Sequence, residues 1–319
     1  MKRKVLSIIV ISAVIITIAL STIPLWGSPE FIQFSINALI LATLAQSWNI
    51  IGGYTGYPSF GNSLFYGLGG YGVAIGMLQF NFPFALGLIF GVALAVLVAF
   101  LLGLPVLRLR GQYFAIATLA LAQVMSAFVS NLDIAGGNIG LVLPLSLSDT
   151  LFFELSLGLL ALTTLTVAWI ANSRFGFGLI AIRENEQAAM VLGVNTTLYK
   201  VLAFALCGIF TAIAGGIHAY YITYLDPSSA FDSTLNIKMI IMTVFGGSGS
   251  ILGPILGAFV LSGVAEILAI EITSLASLFF GLVIVLAIIF MPRGIVDFIR
   301  RFPELGWRYF QENIRIYRL

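Results

Sequence analysis

Few side chains in the apolar body of this 319-residue chain could carry acid–base, redox or metal chemistry. With a single cysteine, Cys207, the chain can form neither an internal disulfide nor a cysteine metal site. Glu266 is the one carboxylate well inside an apolar run, and we interpret it as interfacial or structural; the only histidine, His218, is interpreted as a packing residue. Ion-coupled carriers keep titratable groups at mid-membrane depth. This scarcity of charge argues against a proton- or sodium-driven carrier, and no catalytic or metal site is predicted.

Uncharged polar side chains within the apolar runs suit a different chemistry, the passage of a neutral or zwitterionic solute. Such a cargo with an aliphatic side chain needs a mostly apolar path with a few hydrogen-bonding groups. The candidates by position are Gln46, Asn49, Asn62, Thr118, Gln123 and Asn138. Polar side chains also join membrane helices, for about 0.6 kcal/mol each. For any single one of the six, helix packing is the simpler interpretation.

Two glycine-rich segments, 51–58 and 245–254, each follow an apolar run. Glycine clusters interrupt helices, and paired interruptions in two halves of a chain indicate a transport pathway built from repeated units. The candidate hinge or path glycines are Gly52, Gly53, Gly56, Gly246, Gly247 and Gly249. Two ordinary tight turns between hairpin helices would give the same pattern.

The longest polar stretch inside the hydrophobic body runs over 172–200. Within it, 181–192 has one apolar and one polar face, which predicts a short helix that ends at Gly193. A short amphipathic helix between two membrane spans suits docking into a groove on a soluble partner. A surface helix lying in the lipid headgroups is the alternative.

The composition of the chain indicates the class of protein to which these residues belong. The chain is 60% hydrophobic and only 9% charged, which excludes a water-soluble globule and predicts an all-α polytopic membrane protein. About ten transmembrane helices are expected, and eight are possible because an even number puts both basic termini in the cytoplasm. The apolar runs are 5–25, 31–51, 60–80, 84–107, 112–131, 149–171, 201–222, 234–252, 253–270 and 273–291.

The basic residues set the predicted orientation. With alternating spans, 14 of the 15 lysines and arginines fall on the cytoplasmic side. The exception is Lys238, expected near the outer end of the eighth run, where its ammonium could reach the headgroups. Arginines and aromatic residues in the tail suit an amphipathic segment on anionic lipid, and no nucleic-acid role is expected.

Several motifs are recognisable. Residues 187–193 (QAAMVLG) are similar to the Glu-Ala-Ala-x-x-x-Gly loop of ABC importer permeases, with Gln187 at the glutamate position. The whole chain resembles the M-type permeases of high-affinity branched-chain amino acid ABC transporters. The segments that carry this resemblance are 107–119, 136–141, 181–186 with Gly193, 246–250 with Gly253 and Pro254, and 291–294.

The resemblance implies a plasma-membrane permease that works by alternating access. It implies a heterodimer with a second related permease, two cytoplasmic ATPases, and an extracytoplasmic protein that delivers leucine, isoleucine or valine. The chain has no phosphate-binding loop of its own, so ATP would be bound by partner subunits and no cofactor is expected here. The residues expected to couple to the ATPase are Arg183, Glu184, Asn185, Glu186, Gln187, Ala188, Ala189 and Gly193.

The expected organisation is a first transmembrane helix with its outer loop (1–30), a permease domain (31–291) containing the cytoplasmic coupling loop 172–200, and a basic amphipathic cytoplasmic tail (292–319). Two other functions stay open. One is a permease of the same family for urea or short amides, and the other is an ion-coupled secondary transporter or channel.

Overall fold

The computed structural model describes residues 20–25, 27–144, 148–271 and 294–305, with the single positions 281 and 285. Over these ranges the chain folds as helices joined by short loops. The helices are α1 (Pro29–Trp48, continued by a π-helical turn, Asn49–Tyr54), α2 (Asn62–Gln79), α3 (Phe84–Val106), α4 (Gln112–Ser130), α5 (Asp149–Asn172), α6 (Arg174–Glu184), α7 (Glu186–Val191), α8 (Thr196–Ile222), α9 (Pro227–Ala230), α10 (Ser233–Gly246), α11 (Gly253–Glu271) and α12 (Ile295–Leu305).

Five of the described segments are long and apolar enough to cross a bilayer. They are Pro29–Tyr54, Phe84–Val106, Gln112–Ser130, Asp149–Asn172 and Thr196–Ile222. The expectation of an all-α polytopic membrane protein is therefore confirmed. The predicted runs 5–25 and 273–291 and the tail beyond 305 lie largely outside the described residues, so the total number of spans stays a prediction.

Helix α2 lies between α3 and α8 because its glycines let the backbones touch. A Cβ on Gly69 would lie 1.9 Å from the Ala212 carbonyl oxygen, and a Cβ on Gly72 would lie 2.1 Å from the Cα of Gly91. Small residues are the usual means of close helix packing in membranes, where apolar side chains gain little by leaving lipid. As a result α2 is buried along most of its length.

The helices alternate in direction, so their loops gather at two ends. The basic end holds loops 55–61, 107–111, 192–195 and 247–252, and Lys200 Nζ donates there to the carbonyl oxygen of Leu107 over 2.9 Å. The acidic end holds loops 80–83, 131–144 and 223–232. There β1 (Leu141–Val142) pairs antiparallel with β2 (Tyr224–Leu225), with Leu141 opposite Leu225. Which end faces the cytoplasm stays a prediction from the positive-inside rule.

The prediction of a full span over 234–252 is wrong. Helix α10 has 14 residues, about 21 Å at 1.5 Å per residue, whereas a hydrocarbon core is about 30 Å thick. It ends because Gly247 has a φ of +118° and the chain turns back into α11. A Cβ on Gly246 would lie 1.8 Å from the Gly253 carbonyl oxygen, so this turn is a close backbone contact.

Lys238 lies in the half of α10 nearer the acidic end, and the contacts of the preceding chain bear on its depth. The chain before α10 dips into the bundle, since Ser126 Oγ donates to the Pro227 carbonyl oxygen over 3.2 Å and Gln123 Nε2 donates to Ser233 Oγ over 2.6 Å. Gln123 lies seven residues, about 10 Å, inside the end of α4 at the acidic side. Helix α10 therefore starts about two turns inside the end of α4, and Lys238 lies five residues further along it. Its depth in the membrane stays a prediction.

The packing of α2 gives a testable prediction. Gly69→Ala should destabilise the protein by about 1–3 kcal/mol, because the new methyl group would force α2 and α8 apart. Gly158→Ala in α5 is the matched control: its Cβ would meet nothing within 4 Å, and alanine is the better helix former by about 1 kcal/mol. Thermal unfolding in detergent measures both, and equal midpoints for the two variants would contradict the close-packing account.

Candidate functional site

The two glycine-rich segments pack against each other at the basic end. Asn49 at the end of α1 accepts a hydrogen bond from the Gly249 amide over 2.7 Å and donates to the Ser250 carbonyl oxygen over 2.9 Å. A Cβ on Gly53 would lie 2.6 Å from the Gly249 nitrogen. We call this contact, formed by residues 49–58 and 246–253, the glycine junction. It joins the end of α1 to the turn between α10 and α11.

Arg183 of α6 reaches into the glycine junction. Its Nη1 donates to the Gly53 carbonyl oxygen over 2.9 Å. Both flanking glycines have positive φ angles, and a Cβ on Gly56 would lie 2.7 Å from Arg183 Cγ, whereas one on Gly249 would lie 2.9 Å from Arg183 Nη1. The absence of side chains at these positions therefore makes room for the arginine. Its second contact, with Glu184, is exposed at 3.2 Å.

The other candidate hinge glycines also lie at close contacts. A Cβ on Gly52 would lie 2.2 Å from the Trp48 ring, whose Nε1 donates to the Ser59 carbonyl oxygen over 2.7 Å. Gly247 packs against Gly294, just before α12, where a Cβ would lie 2.5 Å from the Gly247 nitrogen. The geometry shows tight packing at these positions, and a hinge role stays a prediction.

The coupling loop contains two helices, so the prediction of one continuous helix over 181–192 is wrong. Asn185, with φ −162° and ψ 107°, breaks the chain between α6 and α7. Its Oδ1 accepts hydrogen bonds from the amides of Gln187 at 3.0 Å and Ala188 at 3.1 Å, which caps α7. The apolar periodicity continues across Asn185, so the sequence pattern did not show that this side chain caps the start of a second helix.

The break divides the apolar residues that were predicted to share one face. Ile182 and Ala189 are buried in the bundle, whereas Val191 and Leu192 are 88% and 81% exposed. Gly193 follows with a φ of +85°, as expected for a residue that ends a helix. We call the exposed residues Met190, Val191 and Leu192 the apolar tip. The tip projects from the basic end without packing against the bundle.

A charged cluster anchors α7 beside the tip. Glu186 Oε1 lies 2.7 Å from Lys200 Nζ, and both side chains are largely buried. Tyr57 OH donates to Glu186 Oε2 over 2.5 Å, and Arg110 Nε lies 3.4 Å from the same oxygen. The Lys200 ammonium also donates to Tyr57 OH and to the Leu107 carbonyl oxygen. The first residue of α7 is thus bound to α8 and to two loops.

This environment shifts the protonation of the Glu186 carboxyl. Burial raises its pKa, but the hydrogen bonds from Lys200 and Tyr57 and the charges of Lys200 and Arg110 lower it by more, so the net pKa lies below the usual 4.5. Burial and the bond to Glu186 raise the pKa of Tyr57. At neutral pH Glu186 is therefore an anion and Tyr57 a neutral hydrogen-bond donor.

The candidate path residues have other partners in this structure. Gln46 Nε2 donates to the Ile251 carbonyl oxygen over 2.9 Å, Asn62 Nδ2 to Cys207 Sγ over 2.9 Å, and Thr118 Oγ1 accepts from the Phe60 amide over 3.0 Å. Together with Asn49 these side chains are buried and tie helices or loops together. Gln123 and Asn138 are exposed, far from the glycine junction.

The sequence patterns did not identify two residues of the charged cluster, Lys200 and Tyr57. Lys200 stands at the start of an apolar run and Tyr57 inside a glycine-rich segment, so each has an ordinary local explanation. Their contacts with Glu186 span 14 and 129 residues of sequence. The one available signal was a single lysine next to a long apolar run, close to a loop that carries two glutamates.

The charged cluster predicts a pH-dependent stability. Glu186→Gln should destabilise the protein at pH 7 by up to about 3–5 kcal/mol, because it leaves the Lys200 ammonium buried without its counter-ion. The lowered pKa of Glu186 means that its contribution is present above the unfolded value and is lost as the pH falls through the folded value. The gap between wild type and variant in detergent unfolding should therefore close below pH 4.5.

The matched control is Glu184→Gln, one position away from Asn185 on the other side. Glu184 is 70% exposed and pairs only with Arg183 at the surface, so the change should cost at most about 1 kcal/mol. Equal losses for Glu184→Gln and Glu186→Gln would contradict the importance of burial. A Glu186→Gln gap that is constant down to acid pH would contradict the ionic account.

Comparison with known proteins places this architecture in a family. Residues 30–288 match the family model described as the permease component of a branched-chain amino acid transport system. The chain is 27% identical to the high-affinity branched-chain amino acid transport system permease protein LivM of Salmonella typhimurium and to that of Escherichia coli, in each case over 88% of this chain and 73% of the relative.

A shorter match covers 39% of the chain. Over that part it is 34% identical to the autoinducer 2 import system permease protein LsrC of Yersinia pseudotuberculosis, of which 38% is covered. No solved structure matches the chain. The family model spans most of the chain and contains the glycine junction, the charged cluster and the apolar tip. The chain belongs to the permease components of branched-chain amino acid transport systems, and it is a multi-pass protein of the plasma membrane.

Proposed function

We propose that this chain is the transmembrane permease subunit of an ATP-driven importer that moves branched-chain amino acids across the plasma membrane by alternating access. The observation that carries the proposal is the construction of the coupling loop. An exposed apolar tip stands on a short helix, and two charged side chains tie that helix and its neighbour to the bundle.

The tip has the properties of a docking element. Val191 and Leu192 are almost fully exposed, and they lie at the basic end, which the positive-inside rule assigns to the cytoplasm. A short helix with an exposed apolar end fits a groove on a soluble protein. The partner that this proposal requires is a pair of cytoplasmic ATPases, because the chain has no phosphate-binding loop.

Arg183 and Glu186 connect the part of the chain that carries the apolar tip to the membrane helices. Arg183 connects α6 to the glycine junction, and thereby to α1 and to the turn between α10 and α11. Glu186 connects α7 to α8 and to the loops at Tyr57 and Leu107. A force applied to the tip would therefore act on four membrane helices. This is what coupling of ATP hydrolysis to a change of access requires.

The cargo is proposed from the extent of the similarities. The relatives named for branched-chain amino acid transport match over 88% of the chain, whereas the relative named for autoinducer 2 import matches over 39%. Urea or a short amide is the alternative within the same family. The proposal further includes a second permease subunit and an extracytoplasmic amino-acid-binding protein, which complete an importer of this kind.

The docking role of the tip can be tested without disturbing the bundle. The double variant Val191→Asp/Leu192→Asp should insert and fold as wild type, since neither side chain packs in the core. Burial of both carboxylates in an apolar groove would be strongly unfavourable, so ATPase binding and leucine uptake should each fall at least tenfold. Co-purification of the ATPase and labelled-leucine uptake measure the two effects.

A matched control is Ile139→Asp, because Ile139 is 83% exposed but lies at the acidic end. It should leave ATPase co-purification unchanged. Wild-type co-purification and uptake by the double tip variant would contradict the assignment of the tip as the docking element.

The source of energy separates the proposal from an ion-coupled carrier or channel. Leucine uptake in cells with and without the chain should include a chain-dependent part that survives an uncoupler and disappears when ATP is depleted. Uptake abolished by the uncoupler at constant ATP would favour a secondary carrier. If there is no chain-dependent leucine uptake, labelled urea and short amides become the next substrates to measure.

A further inference from the structure

Lys238 on α10 is a charged side chain in an unusual place. It is exposed, and among the described residues it makes neither an ion pair nor a hydrogen bond. The other lysine of the described chain, Lys200, is buried and fully paired. An unpaired ammonium in a membrane helix points to a polar surrounding that the described residues do not supply.

The depth of Lys238 follows from contacts between α10 and α1. Thr243 Oγ1 donates to the Ala45 carbonyl oxygen over 2.9 Å, and the two helices run in the same direction because Asn49 and Ser250 meet further along both. Five residues before Thr243, Lys238 therefore lies at about the level of Ile40. The helical segment Pro29–Tyr54, which is long and apolar enough to cross a bilayer, has its midpoint next to that residue.

At this depth the ammonium cannot reach the headgroups. Ile40 is 11 residues from Pro29, or about 16 Å along the helix, which is farther than a lysine side chain extends. Charged residues inside a membrane face a protein interior or a water-filled cavity rather than lipid. The exposed face of α10 around Lys238 is therefore not a lipid-facing surface in the assembled protein.

No carboxylate of the described residues pairs with Lys238. Of the 13 aspartates and glutamates, none lies at positions 1–19, 145–147 or 272–293. The acids whose side chains the structure does not describe are Glu271, Glu304 and Glu312, of which the last two belong to the tail beyond the last apolar run. The described residues thus offer Lys238 no counter-ion, which leaves its ammonium available to an anion from another molecule.

The neighbours of Lys238 indicate which molecule fits. Thr234 lies one turn away on the same helix face, and Ile237 and Val244 are exposed aliphatic side chains of α10. Gln123, which hydrogen-bonds to the first residue of α10, is also exposed. A cation with a hydroxyl group, an amide and aliphatic surface nearby matches a solute that has a carboxylate and a branched aliphatic side chain.

We propose that Lys238 lies on the wall of the cargo passage and binds the carboxylate of the transported amino acid, with Ile237 and Val244 contacting its side chain. This inference rests on the proposed transport function and narrows it. Urea and simple amides lack the carboxylate, so they gain nothing from the lysine. The passage would run between the α4–α10 face of this subunit and the second permease.

Uptake measurements test the contact with cargo. In the assembled transporter, Lys238→Met should lower labelled-leucine uptake at least tenfold, whereas Lys238→Arg should keep at least a third of it, since the cation is retained. Leu97→Met, at an exposed position of α3, is the control and should transport as wild type. Uptake by Lys238→Met within twofold of wild type would overturn the proposal.

Thiol labelling tests the passage independently of transport rates and leaves Lys238 in place. In a Cys207→Ser background, Thr234→Cys should react with a membrane-impermeant thiol reagent, and excess leucine should slow that reaction at least threefold. Ile89→Cys on α3, 64% exposed, should stay unreactive because it faces lipid. An unreactive Thr234→Cys would overturn the passage, and a reaction that leucine does not slow would overturn the cargo site.

These outcomes are separable from failure of the proposed function. If the wild-type chain supports no ATP-dependent leucine uptake, the function itself fails. If the wild type transports leucine and the Lys238→Met variant does so equally, only the assignment of Lys238 fails. If Lys238→Met and Lys238→Arg both lose uptake at normal membrane levels, a partner carboxylate that requires lysine geometry replaces the cargo as counter-ion, and the proposal is overturned.

Discussion

Backbone amide and carbonyl groups that are removed from water need hydrogen-bond partners within the protein. This constraint has its clearest effect where the helices of this structure break. Within a bilayer such groups have no solvent partner, so a break is stable only if side chains or other backbone replace it. At the glycine junction Asn49, Gln46 and Arg183 supply those partners for the amides and carbonyls of residues 53 and 249–251. The glycines allow the approach, and the polar side chains satisfy the groups that the approach exposes.

This solution has a mechanical consequence. Because Arg183 belongs to α6 yet satisfies the Gly53 carbonyl group, the coupling loop cannot move away without exposing a backbone acceptor at the junction. The buried Glu186–Lys200 pair imposes the same condition on α7, since separating the two charges at low dielectric is costly. Both anchors therefore favour collective displacement of the loop with the helices over independent movement. In the proposed transporter, that property would convert docking at the apolar tip into rearrangement of α1, α8, α10 and α11.

The parts of this fold that depend on local composition could be predicted from the sequence. The parts that depend on contacts between residues far apart in the sequence could not. Apolar runs gave the long helices, and the glycine clusters correctly marked the breaks at 52–56 and 246–249. Asn185 was hidden because apolar periodicity continues across it. The junction roles of Gln46 and Asn49 depend on residues about 200 positions away, and the pairing of Lys200 with Glu186 depends on the return of α8 past the coupling loop. The depth of Lys238 depends on where Gln123 meets Ser233, which hydropathy cannot show.

The polar residues of the membrane region therefore form two groups, which differ in how readily a solute could bind to them. At the basic end, the Asn49 side chain and the Gln46 amide nitrogen are bonded to the backbone of the junction, so a solute could bind these groups only by displacing existing partners. The buried Gln46 Oε1 has no hydrogen-bond partner among the described residues. Lys238 and Gln123 are exposed and lie away from the basic end, and the lysine has no counter-ion within the described chain. Binding of an anion there replaces no internal bond. In the proposed transporter, a transient cargo contact would therefore form more readily at α10 than at the glycine junction, where the polar groups already hold the helices together.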